Sequence, residues 1–336
     1  MRALRLHGTG DVRLHEEPEP RPGPDETLVR ITDVGLCGSD LHWFTEGGIG
    51  DARIDDPLVP GHEMAGVVVG GPWDGRPVAV DPAIPCERCE LCVEGHRNLC
   101  PQVRFAGNKG VDGGMQELLA WPTRLLHPLP EGVTGADGAM LEPLGVALHA
   151  WDLGHARAAT TVAVVGAGPI GLLLVQLALA AGATRVIAVD PLPHRRAAAL
   201  RYGAEVALDP TQARDAATWT ELAGIGCDIA FEAAGTDDAI ATSLLAVRPG
   251  ARVVLVGIPD GDRSSFPAAL ARRKGVTLVM VRRMKEMYPR TLALVTSGKV
   301  DVRSLVTDRF PLAEAATAFQ QAAAREGLKV VVRPAG

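Results

Sequence analysis

Six residues, Gly166-Ala-Gly168-Pro-Ile-Gly171, limit what this chain can fold into more than any other segment. An apolar run at 161–165 precedes them, and a stretch of helix length and helix-forming composition, 169–181, follows. A G-x-G-x-x-G sequence is a weak signal alone. Between a buried strand and a helix it is the turn that carries a dinucleotide's pyrophosphate. The first glycine permits the tight turn, the second lets the phosphates approach the backbone, and the third lets helix and strand pack closely. Pro169 and Ile170 open the helix, whose N-terminus favours the negative charge.

A second strand reading, 185–190, ends in Asp190. A carboxylate there accepts hydrogen bonds from ribose hydroxyls and repels a 2′-phosphate, which favours NAD over NADP. Arg195 and Arg196 stand close by, and an arginine can accommodate a 2′-phosphate, so this sign is opposed by its own neighbours. Helix signals at 194–202 and strand signals at 205–208, 227–231, 252–256 and 277–281 continue the alternation. Strands alternating with helices argue for an α/β domain with a doubly wound parallel sheet. Ligands of such sheets lie at the carboxyl ends of strands, which makes Ala234, in Glu232-Ala-Ala-Gly235, and Gly257 candidates for the cofactor crevice. Cys227 reads as a core thiol.

Residues 1–150 differ in character. Short apolar stretches such as 26–32 and 64–69 lie between Gly and Pro turn signals, the pattern of a β-rich domain. From about 288 the tail reads as a helix, a loop and a short strand, 329–332. The length of 336 residues suits two domains. A net charge of −6 gives no electrostatic reason to expect nucleic acid or an anionic membrane as partner. The N-terminus shows no signal-peptide core, and the longest apolar run, 172–183, is interrupted by Gln176 and too short to span a bilayer. A cytoplasmic location is expected.

Four of the six cysteines, Cys86, Cys89, Cys92 and Cys100, form C-x2-C-x2-C-x7-C. In a reducing compartment such crowding points to metal before disulfide. Four thiolates suit a closed tetrahedral zinc site that stabilises a loop and takes no part in chemistry. An iron–sulfur cluster takes the same ligands. A second constellation lies in Cys37-Gly-Ser39-Asp40-Leu-His42 and Gly61-His62-Glu63, with Glu142 further on. Thiolate, imidazole and carboxylate together match a catalytic zinc site, which keeps a position for water or substrate.

These segments, with Gly47-Gly-Ile-Gly-Asp51, Pro60-Gly-His-Glu-Met-Ala-Gly66 and Leu141-Glu-Pro-Leu-Gly-Val-Ala-Leu-His149, make the chain resemble the zinc-containing medium-chain dehydrogenases over nearly its whole length. Within that family it is most similar to the polyol (sorbitol/L-iditol, xylitol, L-idonate) dehydrogenases. The resemblance implies a GroES-like catalytic domain, 1–150 with 288–336, and a Rossmann domain, 151–287, with the site in the cleft between them. It implies that Cys37, His62 and Glu63 hold a catalytic zinc, and that Glu142 ligates it directly or through water. Asp40 would orient His62, and Ser39 and His42 would relay a proton to solvent by way of the nicotinamide ribose. Zinc would lower the pKa of a secondary alcohol so that an alkoxide forms near neutral pH and passes hydride to NAD. Trp43, Leu118 and Arg283 would contact substrate, and the assembly would be a tetramer. The sorbitol enzymes of animals resemble this chain but lack its four-cysteine lobe.

Two alternatives predict different behaviour. An NADP(H)-linked ketone or aldehyde reductase on the same scaffold would prefer the phosphorylated cofactor. A non-catalytic nucleotide-binding redox sensor or structural protein would have lost zinc ligands or relay residues, and all are present here.

Overall fold

Short apolar runs cut by Gly and Pro fold, in the first part of the chain, into antiparallel strands. The computed structural model describes residues 1–261 and 263–335. Asp262 and Gly336, which fall inside the two expected domains, lie outside the described residues. In chain order the principal elements are β1 (Glu26–Gly35), α1 (Gly38–Glu46), β2 (Glu63–Val69), β3 (Pro77–Val80), β4 (Leu118–Pro122), β5 (Leu126–Pro128), α2 (Leu141–Gly154), β6 (Thr161–Val165), α3 (Pro169–Ala180), β7 (Arg185–Val189), α4 (Pro193–Arg201), β8 (Val206–Leu208), β9 (Cys227–Glu232), β10 (Val247–Leu255), β11 (Thr277–Met280), α5 (Tyr288–Thr296), β12 (Val306–Pro311), α6 (Ala315–Ala323) and β13 (Lys329–Arg333).

The chain divides into two compact units. The first holds residues 1–143, 288–296 and 302–335, and the second holds 144–287 and 297–301. The division thus runs inside α2, seven residues before the boundary at 150/151 (143 against 150), because one helix carries the chain from one unit to the other.

The first unit is built on a seven-stranded sheet in the order β5-β3-β2-β1-β13-β12, with β4 also against β1. Strands β1 and β2 run antiparallel, with Gly35 opposite Glu63. The tail returns here: Val331 and Val332 of β13 pair with Gly35 and Val34. Val330, Val332 and Phe319 are buried with Val29, Ile31, Val34, Met64 and Val68. Burying each such side chain contributes roughly 1.5–3 kcal/mol, enough to hold the tail on this sheet. The tail is richer than a helix, a loop and a strand: β12 and α6 intervene between α5 and β13. Strand β12 pairs in parallel with β13 at the sheet's edge, and its polar Thr307, Asp308 and Arg309 mask it as a loop.

The second unit is a six-stranded, wholly parallel sheet in the order β8-β7-β6-β9-β10-β11. It is a doubly wound Rossmann sheet whose order reverses between β6 and β9. Strands at 161–165, 185–190, 205–208, 227–231 and 277–281 form close to those bounds. Strand β10 starts earlier than 252, because Val247 already pairs with Cys227 before the ladder resumes at Arg252 opposite Ile229. Helix α3 is buried from Gly171 to Ala178, which explains an apolar run without an amphipathic face. Among the described residues no helix is long and apolar enough to cross a membrane.

Candidate active site

Cys37 ends the extended segment after β1 and is the N-cap of α1, with φ −93° and ψ 158°. Its backbone N–H donates to Asp40 Oδ2 at 3.0 Å, and the N–H of Gly61 donates to Asp40 Oδ1 at 3.1 Å. Asp40 also faces His62, with Oδ1 3.6 Å from Nδ1. One buried carboxylate therefore ties together the two segments that carry Cys37 and His62. Gly61 has φ +93°, and a Cβ there would lie 2.6 Å from Val34 Cγ1, so only glycine allows the chain to turn into His62 at this spacing.

The result is a cluster in which a sulfur of Cys37, a ring nitrogen of His62 and a carboxylate oxygen of Glu63 lie within 4.8 Å of one another. His62 and Glu63 are buried, at 6% and 1% exposure. Burial opposes a charge on His62, yet facing Asp40 and Cys37 raise its pKa well above the ordinary value. Burial likewise opposes ionisation of Asp40, and His62 with the two backbone donors outweighs it, holding the carboxyl low. A thiol and two carboxyl groups thus gather around one imidazole, a donor set that suits a cation. Glu142, in the first turn of α2, stands outside this three-residue set but feels the charges of His62 and Glu63. Desolvation is the main cause that lifts its carboxyl to about 7.

Lys329 went unnoticed in the sequence. It is 3% exposed at the start of β13, and its ammonium forms an ion pair with Glu63 Oε2. Burial disfavours its charge, but Glu63 and then Cys37 raise its pKa. The signal was present only as a lysine heading the apolar run Lys329-Val-Val-Val.

Ser39 and His42 lie one turn apart on α1, both half-buried. His42 Nδ1 is 2.6 Å from Glu46 Oε1, an i,i+4 contact on the same helix that the sequence reading did not foresee. The expected substrate contacts do not share one element. Trp43 is 3% exposed and packed in the first unit's core. Leu118 is half-buried at the start of β4, opposite Arg30. Arg283 belongs to the second unit and has a left-handed backbone, φ +53°, a strained conformation for a residue with a side chain.

In the cysteine lobe, Cys86, Cys89, Cys92 and Cys100 converge, and all are free thiols. A tetrahedral ion about 2.3 Å from each sulfur spaces the sulfurs about 3.8 Å apart. Cys89 and Cys100 are 3.9 Å apart. Backbone N–H groups of Arg88 and Cys89 bring the Cys86 thiol down to about 6, whereas desolvation and neighbouring sulfurs push Cys92 up to about 12. Four sulfurs so close cannot all be thiolates without a cation among them.

In the second unit the glycine turn has the geometry its sequence requires. Gly166 has φ +98°, and a Cβ there would sit 2.8 Å from Ala234 N. A Cβ at Gly171 would fall on the carbonyl oxygen of Gly166. At Gly168 a Cβ would meet only Arg195 Nη1, at 3.6 Å, so the turn is open on that side. Gly168 caps α3, leaving the first-turn N–H groups without a side-chain acceptor. Asp190 accepts from Ala167 N and Leu192 N, each at 2.8 Å, and so braces the turn as well as ending β7. Arg196 donates to the carbonyl oxygens of Asp190 and Pro191. Glu232 accepts from Ala234 N and Gly235 N, and Gly257 packs against Gly235 so closely that a Cβ would overlap its nitrogen.

Residues 23–131 match the alcohol dehydrogenase GroES-like domain, and residues 169–297 match the zinc-binding dehydrogenase family. Sorbitol dehydrogenase of Bacillus subtilis (strain 168) is 33% identical over 99% of this chain and 97% of its own length. This chain belongs to the zinc-dependent medium-chain alcohol dehydrogenases, in their polyol branch. Among solved structures, L-idonate 5-dehydrogenase of Escherichia coli K-12 superposes on this dehydrogenase with a TM-score of 0.92 at 29% identity, covering 99% of this chain and 97% of the other. A zinc-binding dehydrogenase of Sinorhizobium meliloti 1021 bound to NADP gives 0.89 at 31% identity, covering 99% of each chain. The enzyme is thus a zinc- and nicotinamide-dependent oxidoreductase with a GroES-like domain and a Rossmann sheet.

Proposed function

We propose that this dehydrogenase oxidises a secondary alcohol of a polyol or sugar-derived acid, with NAD as acceptor. The convergence of Cys37, His62 and Glu63, braced by Asp40, is the observation that carries the reading. These three residues hold the catalytic zinc, and Cys86, Cys89, Cys92 and Cys100 hold the structural one. Zinc supplies Lewis acidity toward the alcohol or carbonyl oxygen, and the nicotinamide takes up or gives the hydride.

The protein's own part is to position groups and move a proton. Ser39 Oγ would take the proton of the substrate hydroxyl, and His42, one turn further along α1, would accept it on the way to solvent. Glu46 fixes the His42 ring: with Nδ1–H donated to its carboxylate, Nε2 is the nitrogen that accepts. Glu142 places a buried carboxyl beside the metal ligands, where it orients a water or serves as a further ligand. Gly166, Gly168 and Gly171, with Pro169 and Ile170, pass the pyrophosphate over the start of α3. Asp190 receives the adenosine ribose hydroxyls with the lone pairs its backbone contacts leave free, and Ala234 and Gly257 line the crevice.

NADP is the second reading, favoured by Arg195 beside Gly168 and by the NADP bound to the S. meliloti relative. Steady-state kinetics on a panel of polyols, sugar acids and simple secondary alcohols with both cofactors separates the two. A kcat/KM for NAD about tenfold or more above that for NADP is expected, with vicinal diols and polyols outrunning simple alcohols. A preference for NADP would overturn the assignment of Asp190.

A further inference from the structure

The proposed zinc ligand Glu63 has a buried cationic partner that no aspect of hydride transfer calls for. Lys329 and Glu63 are 3% and 1% exposed, and their charged ends form an ion pair. The sheet is shaped for the pair. Gly35 lies opposite both Glu63 on β2 and Val331 on β13, and a Cβ at Gly35 would fall on Glu63 Oε2 and sit 2.9 Å from Lys329 Cε. Val306 of β12 pairs with Lys329 on its other side, and the backbone carbonyl of Lys329 accepts from Thr307 Oγ1. Three strands and a glycine thus deliver one ammonium to the Glu63 carboxylate.

We infer that Lys329 is a positioning residue that weakens Glu63 as a metal ligand. The inference rests on the reading that Cys37, His62 and Glu63 hold the zinc. Whatever stabilises the metal-free site more than the loaded one lowers metal affinity. Lys329 balances the Glu63 carboxylate when no ion is present. Once a divalent cation shares that carboxylate, the ammonium gains less from it and repels the ion across a few ångströms of poorly screened interior. A merely structural lysine would act in the opposite sense, since its loss would loosen the cluster and release metal.

The test starts from the zinc-loaded enzyme and follows zinc release to a competing chelator. Wild type should release zinc in two steps, and Cys37→Ala should lack the step that belongs to this site. Lys329→Met should bind that zinc about tenfold tighter, because a buried partner of a charged group is commonly worth a factor of ten or more. Lys329→Gln should fall between, and Lys329→Arg, which keeps the charge, should stay near wild type. An unchanged or weaker affinity in Lys329→Met and Lys329→Gln would overturn the inference while leaving the zinc assignment intact. If Cys37→Ala retained both steps, the zinc assignment itself would fail. Should Lys329→Met prove insoluble, Lys329→Gln alone decides by the sign of its change.

Discussion

Asp40→Ala removes a buried side chain that joins the two ligand-bearing segments. Asp40 accepts from Cys37 N at 3.0 Å and from Gly61 N at 3.1 Å, and it faces His62 at 3.6 Å. A hydrogen bond to a buried charged group is worth roughly 1.5–3 kcal/mol, and losing two leaves the part-buried Cys37 N–H and the buried Gly61 N–H without this acceptor. The sum is about 3–6 kcal/mol. The lower end is expected, because deleting the carboxylate also removes the cost of keeping it desolvated. The loss should appear in both folding and metal binding, since the angle between Cys37 and His62 is set through this residue. Groups that orient metal ligands typically change affinity by about 10–100-fold when removed. Chelator competition for zinc and urea unfolding of the same preparation measure the two effects. Asp40→Asn, which keeps one acceptor oxygen, should lie between. An Asp40→Ala enzyme with wild-type zinc affinity and an unchanged unfolding midpoint would refute the reasoning.

Gly171→Ala should raise the Kd for NADH at least about tenfold and cost about 1–3 kcal/mol of stability, because the new Cβ overlaps the Gly166 carbonyl oxygen and the turn must open; fluorescence titration and thermal melting check both. His127 stacks on Tyr288 with ring centroids 4.2 Å apart, and burial, aided by Arg97, lowers its pKa to about 4. The unfolded chain, at about 6.5, binds this proton more readily than the folded one, so stability falls as pH drops through the window from about 6.5 to 4. At pH 5 the loss is about 2 kcal/mol relative to pH 7.5. It should vanish in His127→Phe, and equal pH slopes for the two proteins would contradict it. His42→Ala should slow turnover most at lower pH, and an unchanged pH–rate profile would argue against the relay.

Much of the second unit was readable because its strands are buried on both faces. The runs at 161–165 and 185–190 are almost uninterrupted Val, Ile and Ala, and Gly166 and Asp190 mark their carboxyl ends. The tail was less readable. Strand β12 lies at a sheet edge, where exposed Thr307 and Arg309 and half-buried Asp308 break the apolar pattern. The ligand set Cys37, His62 and Glu63 showed itself as residue types and by family resemblance, while its mutual geometry depends on Asp40 and Gly61. Lys329 was hidden for a physical reason. A lysine at a strand end is usually solvated, and only the fold, by pairing β13 with β1 and β1 with β2, brings it to a carboxylate far away in the chain. Glu46 was missed likewise, as an ordinary acid on an exposed helix face.

Diffraction from crystals at wavelengths on either side of the zinc absorption edge tests the central assignment most directly. Two anomalous peaks per chain are predicted, one among Cys86, Cys89, Cys92 and Cys100, the other within bonding distance of Cys37 Sγ, a ring nitrogen of His62 and a carboxylate oxygen of Glu63. A single peak in the cysteine lobe, in crystals of enzyme purified without chelator and supplied with zinc, would contradict the account.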